Sequence, residues 1–405
     1  MSGPLDGLKV FDLTRILAGP SCTQILGDLG AEVIKIERPE VGDDTRNFAP
    51  PYLPDADGED SSESAYFAGA NRNKRSLTLN LADAEGQALA RKLLADCDIL
   101  AENFKTGTLT KYGLGYEQLK DEFPGLIYCS ITGFGQTGPY ANRPGYDALI
   151  QAMGGVMSLT GEPEGEPMKV GVSIADLMAG MYACVGILAA VRHKQLTGEG
   201  QFIDISMLDA HVAWLANQGM NFLATGENPE RLGNNHPNIL PYQVMPTADG
   251  YIVLSVGNDD TFERFCDLAE CRELLEDDRF KTNVDRVKNR SHTTEVLNEI
   301  TRQKSSTWWL ENLEKHKIGC GPINNLSEVF SDPHVVAREM LLEMDHPATG
   351  GKKAKLIASP LKMSETPVSY RRPPPMLGEH TDEVLREKLS LSEDEIADLK
   401  SKKIV

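Results

Sequence analysis

The 405 residues carry 41 Lys and Arg against 60 Asp and Glu, a formal charge of −19. That balance excludes a nucleic-acid surface, which needs clustered cations for the phosphates, but leaves room for a small anionic ligand wherever a few cations gather. Hydrophobic residues at 40% and charged residues at 25% describe a globular chain too long for one simple core, so two domains are expected.

In chain order, Met1-Ser2-Gly3-Pro4-Leu5 lacks the basic-then-apolar order of a targeting signal. The expectation is a cytoplasmic chain, or a mitochondrial one if it has been trimmed. Residues 8–13 read as a buried strand, 21–29 as a helix ending at Gly30, and 31–37 as a second strand. This β-α-β order implies a parallel sheet with right-handed crossovers. Residues 39–64 read as a long polar loop. Strands at 76–80, 99–102 and 126–131, with a helix at 84–97, continue the pattern. The resulting fold class is α/β, with a Rossmann-like, doubly wound large domain. Such sheets bind ligands beyond the carboxyl ends of their strands.

Residues 173–196 read as a helix with Gly198 as its C-cap, 202–205 as a strand and 207–223 as one long helix. The apolar stretch 177–191 is shorter than the roughly 18–20 residues of a membrane span and reads as a buried helix, so no membrane partner is expected. Residues 225–241, rich in Gly, Asn and Pro, read as a loop or linker. A strand at 251–256 and charged helices between 261 and 317 form a smaller α+β domain. The expected division is 1–224 and 326–405 for the large domain and 225–325 for the small one. Seven cysteines without Cys-x-x-Cys or Cys/His spacing are expected to be reduced, and no metal site is expected.

The turn after the first strand reads Arg15-Ile16-Leu17-Ala18-Gly19-Pro20. It lacks the glycine fingerprint with which a backbone approaches a dinucleotide, so a nicotinamide cofactor is not expected. Its N–H groups at a helix start still suit an anion. Arg38, Arg46, Arg72, Lys74, Arg75, Lys105 and Lys111 recur near predicted strand ends, either as a phosphate site or as ordinary surface charge. Asp176 follows Ser173 by three residues, as in a capping box. Spacing alone favours that structural role. A helix N-terminus would also keep the acid ionised, which is the nucleophilic form of a carboxylate. The loop 233–238 carries Gly233, Asn234, Asn235 and one histidine, His236, which by itself reads as solvated. No G-x-S-x-G, P-loop or H-E-x-x-H motif is present.

Taken together, Pro4-Leu5-Asp6-Gly7, Ala18-Gly19-Pro20, the run from Gly30 to Arg38, Asn73-Lys74-Arg75-Ser76, Glu102-Asn103-Phe104, Tyr112-Gly113, Asp176 and Leu377-Gly378-Glu379-His380-Thr381 resemble the class III CoA-transferases. That family includes formyl-CoA and carnitine CoA-transferases. The resemblance implies an interlocked homodimer with coenzyme A, as acyl-CoA, the substrate. It places the nucleophilic aspartate at Asp176. It carries CoA contacts onto Leu17, Ala18, Arg38, Leu79, Asn80, Leu81, Ala82, Asn103, Phe104, Lys105, Lys111, Arg143 and Tyr146. Gly233, Asn234, Asn235 and His236 correspond to a mobile glycine-rich loop, here without its run of four glycines. Related 2-methylacyl-CoA racemases of the same fold use a histidine where Tyr146 stands, which speaks against α-proton exchange. Gly42-Asp43-Asp44-Thr45-Arg46 and Gly321-Pro322-Ile323-Asn324-Asn325 are among the stretches similar to the succinate–hydroxymethylglutarate (glutarate) type. That similarity implies dicarboxylate acceptors and succinyl-CoA as donor; with such an acceptor, the Arg46 guanidinium is expected to pair with the distal carboxylate.

Overall fold

Short apolar strands alternating with helices build a six-stranded parallel sheet in a computed structural model that describes residues 3–405. Met1 and Ser2, the start of the stretch read for targeting, lie outside the described residues. The strands in chain order are β1 (Lys9–Asp12), β2 (Glu32–Glu37), the hairpin pair β3 (Tyr52–Pro54) and β4 (Asp60–Ser64), β5 (Lys74–Thr78), β6 (Ile99–Glu102), β7 (Ile127–Thr132) and β8 (Phe202–Ser206). The large sheet runs β5-β2-β1-β6-β7-β8. The chain winds outward from β1 through β2 and β5, then returns to add β6, β7 and β8 on the other side. The order reverses between β1 and β6, the doubly wound arrangement expected from sequence.

Both faces of the sheet are covered. Val10, Val33, Ile99 and Ile127 point into a core with the helices Ala18–Asp28 and Ile174–Thr197. Their chain neighbours Phe11, Ile34, Leu100 and Tyr128 point into a second core, with the helix Ala84–Leu94 and the C-terminal helices Thr381–Leu389 and Glu393–Ser401. Strand side chains alternate between faces, so a sheet covered on both sides favours apolar residues at successive positions, and the charges that β2 and β5 carry inside, Lys35 and Lys74, are paired with Asp43 and Asp12. The 24-residue helix Ile174–Thr197 is long and apolar enough to cross a membrane by length and composition, and half of its most apolar window is buried. It packs closely on Ala18–Asp28: a Cβ on Gly180 would stand 2.5 Å from the Ala18 carbonyl oxygen. Gly198 ends it at φ +81, as expected of a left-handed C-cap. All seven cysteines are free.

Several elements differ from the sequence reading. The stretch 39–64 is not one loop: a 3-10 turn, Asp44–Asn47, and the hairpin β3–β4 organise it. The expected helix 207–223 is two, Met207–Ala213 and Ala216–Thr225, broken at Ala216 with φ +43. The chain divides at that break. One unit comprises residues up to Gly154, Val170–Trp214 and Pro333–Val405; the other comprises Gly155–Lys169 and Leu215–Asp332. Residues 155–169 and 215–224 thus cluster with the smaller unit, which ends at Asp332. The smaller unit holds an antiparallel sheet of β9 (Tyr242–Pro246), β10 (Tyr251–Ser255) and β11 (Gly319–Gly321), packed around Phe262, Phe265 and Trp309. Strand β9 was hidden by its flanking prolines. A further hairpin, β12 (Leu341–Asp345) with β13 (Lys353–Ile357), belongs to the larger unit.

Candidate active site

Asp176 lies in the first turn of the helix Ile174–Thr197, at the third position expected from sequence. The capping box does not form. Ser173 makes no side-chain cap, and its side chain instead lies near the Tyr66 hydroxyl and interacts with it. The helix start is capped from elsewhere: the Ala175 N–H donates to Asp147 Oδ1 at 2.9 Å. Asp147 opens the helix Asp147–Met153, and its other oxygen accepts from Gln151 Nε2 at 2.7 Å. The Ala18 N–H stands close enough to Asp176 to favour its ionised form.

The electrostatics also depart from the sequence reading, in which the helix terminus keeps Asp176 ionised. Burial pushes its carboxyl up to about 7; neighbouring Asp147 adds to the rise, and the Ala18 N–H opposes it. The carboxyl therefore titrates near neutrality. Such a carboxylate is more basic than an ordinary one and is still ionised at mildly alkaline pH.

The turn joining β1 to the helix Ala18–Asp28 delivers that N–H. Ile16 in this turn has φ +68, a left-handed conformation that costs a β-branched residue about 1–3 kcal/mol. Neighbouring groups hold the turn in place. Lys35 Nζ donates to the Thr14 carbonyl at 2.8 Å, and the Ile16 N–H donates to Asp43 Oδ1 at 3.2 Å. Asn103 accepts from the Arg15 N–H at 2.8 Å and donates back to the Arg15 carbonyl at 2.6 Å. Lys35 and Asp43 form an ion pair at 2.9 Å, with both side chains fully buried. Burial alone would raise the Asp43 carboxyl, but the Lys35 ammonium overrides it and holds it at about 2. Asp12, beneath the turn, accepts from Thr14 and Thr23 and pairs with Lys74 at 3.2 Å.

The other side of this turn opens on a cavity of about 340 Å³ at the carboxyl ends of the strands, where the sheet order reverses. Leu13 follows β1, Arg38 follows β2, Leu79 follows β5 and Phe104 lies just beyond β6. Of the sequence-predicted coenzyme residues, Arg38, Leu79, Asn80, Leu81, Ala82, Phe104 and Lys105 line it. Arg15, Asp43, Thr108 and Tyr112 also line it, and sequence reasoning missed them. Arg38 and Lys105 are exposed and form no ion pair among the described residues, so both cations are open to phosphate.

The remaining expected residues lie elsewhere. Leu17 and Ala18 belong to the turn beside Asp176, and Asn103 clamps that turn rather than lining the cavity. Lys111 is exposed at the end of the short helix Thr108–Lys111, outside the cavity lining. Arg143 stacks its guanidinium 4.0 Å over the exposed Tyr140 ring, and Tyr146 is 71% exposed. Gly233, Asn234, Asn235 and His236 belong to the smaller unit. There Gly233 donates to the Gly161 carbonyl, and His236 stacks on Tyr242 with centroids 5.2 Å apart. Arg46 requires a correction. Its guanidinium is buried, forks onto both oxygens of Glu37 at 2.8 Å, and reaches Glu63 and the Pro375 carbonyl at 3.0 Å. Its hydrogen-bonding capacity is spent inside the fold, so it is not available to a substrate carboxylate. Among the described residues no group of three or more His, Cys, Asp or Glu is placed to hold a metal ion.

Sequence reasoning also missed Tyr66 and Asp147. Neither stands at a telling spacing from Asp176, and only the fold brings them beside it.

Residues 5–381 match CoA-transferase family III. The succinate–glutarate CoA-transferase of Agrobacterium fabrum is 48% identical over 384 residues, covering 95% of each chain. The human succinyl-CoA:glutarate CoA-transferase is 42% identical over 402 residues, covering 99% of this chain and 90% of that one. The crystal structure of a CAIB/BAIF family protein from Brucella suis superposes with a TM-score of 0.83 at 47% identity, covering 96% of this chain and all of that one.

Proposed function

The chain belongs to CoA-transferase family III, and from that premise we propose that it transfers CoA from succinyl-CoA to a dicarboxylate of glutarate type through covalent intermediates on Asp176. The names of the relatives support the donor and acceptor class. The observation that carries the mechanism is a half-buried carboxyl titrating near neutrality, held by the same turn that walls the cavity.

Asp176 attacks the thioester carbonyl, and the carbon–sulfur bond breaks to release CoA thiolate and leave a mixed succinyl–aspartyl anhydride. The thiolate attacks the aspartyl carbonyl, expelling succinate and forming an aspartyl-CoA thioester. The acceptor carboxylate attacks that thioester, thiolate leaves, and a second anhydride forms. Thiolate then attacks the acceptor's acyl carbon, giving the new acyl-CoA and free Asp176. One thioester replaces another, so the exchange is close to balanced in energy. The Tyr66 hydroxyl, near Ser173 and within electrostatic reach of Asp176, is the donor best placed for the developing oxyanion. Arg38 and Lys105 receive the anionic end of the coenzyme.

The proposal includes an interlocked homodimer. Met181, Tyr182 and Val185 are 49%, 41% and 60% exposed along one flank of the helix Ile174–Thr197, an apolar stripe suited to cover by a second copy.

The test is incubation of succinyl-CoA with glutarate and a panel of other acids, with products read by mass spectrometry. Glutaryl-CoA is expected from the native chain and none from Asp176→Ala, which should still bind CoA. Hydroxylamine added during turnover should mark the peptide containing Asp176. A mark on another residue, or full transfer by Asp176→Ala, overturns the mechanism.

A further inference from the structure

The turn 14–17 stores strain, and the groups that hold it are not used by the chemistry itself. Every backbone polar group from the Thr14 carbonyl to the Ile16 N–H is engaged from outside the turn. Lys35 takes the Thr14 carbonyl, Asn103 takes both polar groups of Arg15, and Asp43 takes the Ile16 N–H. Those partners come from three separate places: Lys35 from β2, Asp43 from the segment after it and Asn103 from just beyond β6. Asp43 is fixed in turn. It pairs with Lys35, and it accepts from the Thr45 N–H at 3.0 Å and the Thr45 hydroxyl at 2.8 Å. An isoleucine at φ +68 persists only where its surroundings over-determine it, and such outliers gather at functional sites. Two residues further on is the Ala18 N–H that meets the Asp176 carboxylate.

We propose that Lys35, Asp43 and Asn103 are positioning residues for the transfer reaction: together they hold Ile16 in its left-handed conformation so that the Ala18 N–H stays aimed at Asp176. The proposal rests on Asp176 being the nucleophile. With the lock intact, the carboxylate is both oriented and partly relieved of the burden of burial. With the lock broken, Ile16 relaxes toward negative φ and carries the Ala18 N–H away. The groups facing Asp176 are then Asp147 from the helix Asp147–Met153, whose charge opposes its ionised form, and the Tyr66 hydroxyl, while Asp147 also interacts with the charge of His211. The charged groups around the lock are Asp12, Glu37 and Lys74, together with Arg15 of the turn itself, paired with Asp44 at 3.0 Å. Losing a hydrogen bond to the charged form raises a carboxyl's pKa, so the acid limb of the rate profile moves to higher pH.

The test compares full-length Asp43→Ala, Asn103→Ala, and each of these combined with Ile16→Gly. Glycine adopts positive φ without penalty, so it restores the turn without restoring the removed contacts. Each single variant is expected to lower kcat at least tenfold, with KM for succinyl-CoA changed less than threefold, and to move the acid limb of kcat up by about half a pH unit or more. Adding Ile16→Gly is expected to recover a third or more of the lost rate and to return the acid limb toward native. Asn103→Ala leaves the buried ion pair intact, so it stays informative if Asp43→Ala does not fold. A loss confined to KM would make these residues walls of the coenzyme cavity. An unmoved acid limb, or a double variant no faster than its parent, would make the lock purely structural. Either result overturns the proposal. Asp176→Ala separates the two readings: if it retains transfer, the nucleophile assignment falls first.

Discussion

Replacing Asp176 with asparagine should stop transfer and stabilise the protein at the same time. Burial and Asp147 lift the carboxyl from 3.8 to about 7, a rise of about three units at about 1.4 kcal/mol each. Ionising it therefore costs the folded chain about 4 kcal/mol that the unfolded chain does not bear. The sign follows from proton counts. Between 3.8 and about 7 the folded state holds a proton that the unfolded state has lost, so native stability falls as pH rises through that window and levels off above it. Asparagine keeps the shape and still presents an oxygen to the Ala18 N–H, but carries no charge. Asp176→Asn should match the native chain near pH 4 and exceed it increasingly up to pH 8. At about 2 cal/mol/K per residue over 405 residues, 4 kcal/mol is a rise in Tm of about 5 °C. The assay is thermal unfolding followed by circular dichroism from pH 4 to 8.5, paired with native turnover, which should rise with pH through a midpoint of about 7 and level off about one unit higher. A difference in Tm that is independent of pH, or an asparagine variant less stable at pH 8, would refute the account of a desolvated, charge-crowded carboxylate.

Arg46→Ala should destabilise the fold by about 3–5 kcal/mol, because it strips the guanidinium fork from Glu37, whose side chain is 1% exposed, and leaves that buried charge to Ser76, the Asp43 N–H and the Lys35 ammonium alone. A melt and the KM for glutarate check this, and a large rise in KM with unchanged stability would return Arg46 to the substrate. Gly180→Ala should cost about 1–3 kcal/mol, since its Cβ would press the Ala18 carbonyl at 2.5 Å, and it should lower kcat by shifting the Ala18 N–H off Asp176. Unchanged Tm and kcat would show that the two helices are not in close contact there.

The strand-helix alternation determined the doubly wound sheet: β6 and β7 are apolar at most positions, as a strand buried on both faces requires, while the charges of β2 and β5 could be buried only by pairing inside the fold. The place of the cavity followed from the same pattern: Arg38, Leu79 and Phe104 come just after strands, and parallel strands bring their carboxyl ends to one edge. Asp176 was visible as an acid at a helix start, though its spacing alone argued for a cap. What sequence could not contain was which neighbours those residues acquire. Asp147 takes over the helix cap and Ser173 turns to Tyr66, so the carboxyl loses the protection its position promised and rises instead of falling. Arg46 looked like a cation free for substrate until Glu37, distant by nine residues, claimed its fork. The unit boundary moved because one alanine adopts positive φ and breaks a helix that apolar periodicity had joined. Local pattern sets which face of an element is apolar and where each strand stops. Proton affinity and ion pairing depend on groups far apart in the chain, and only tertiary packing brings them within hydrogen-bonding distance.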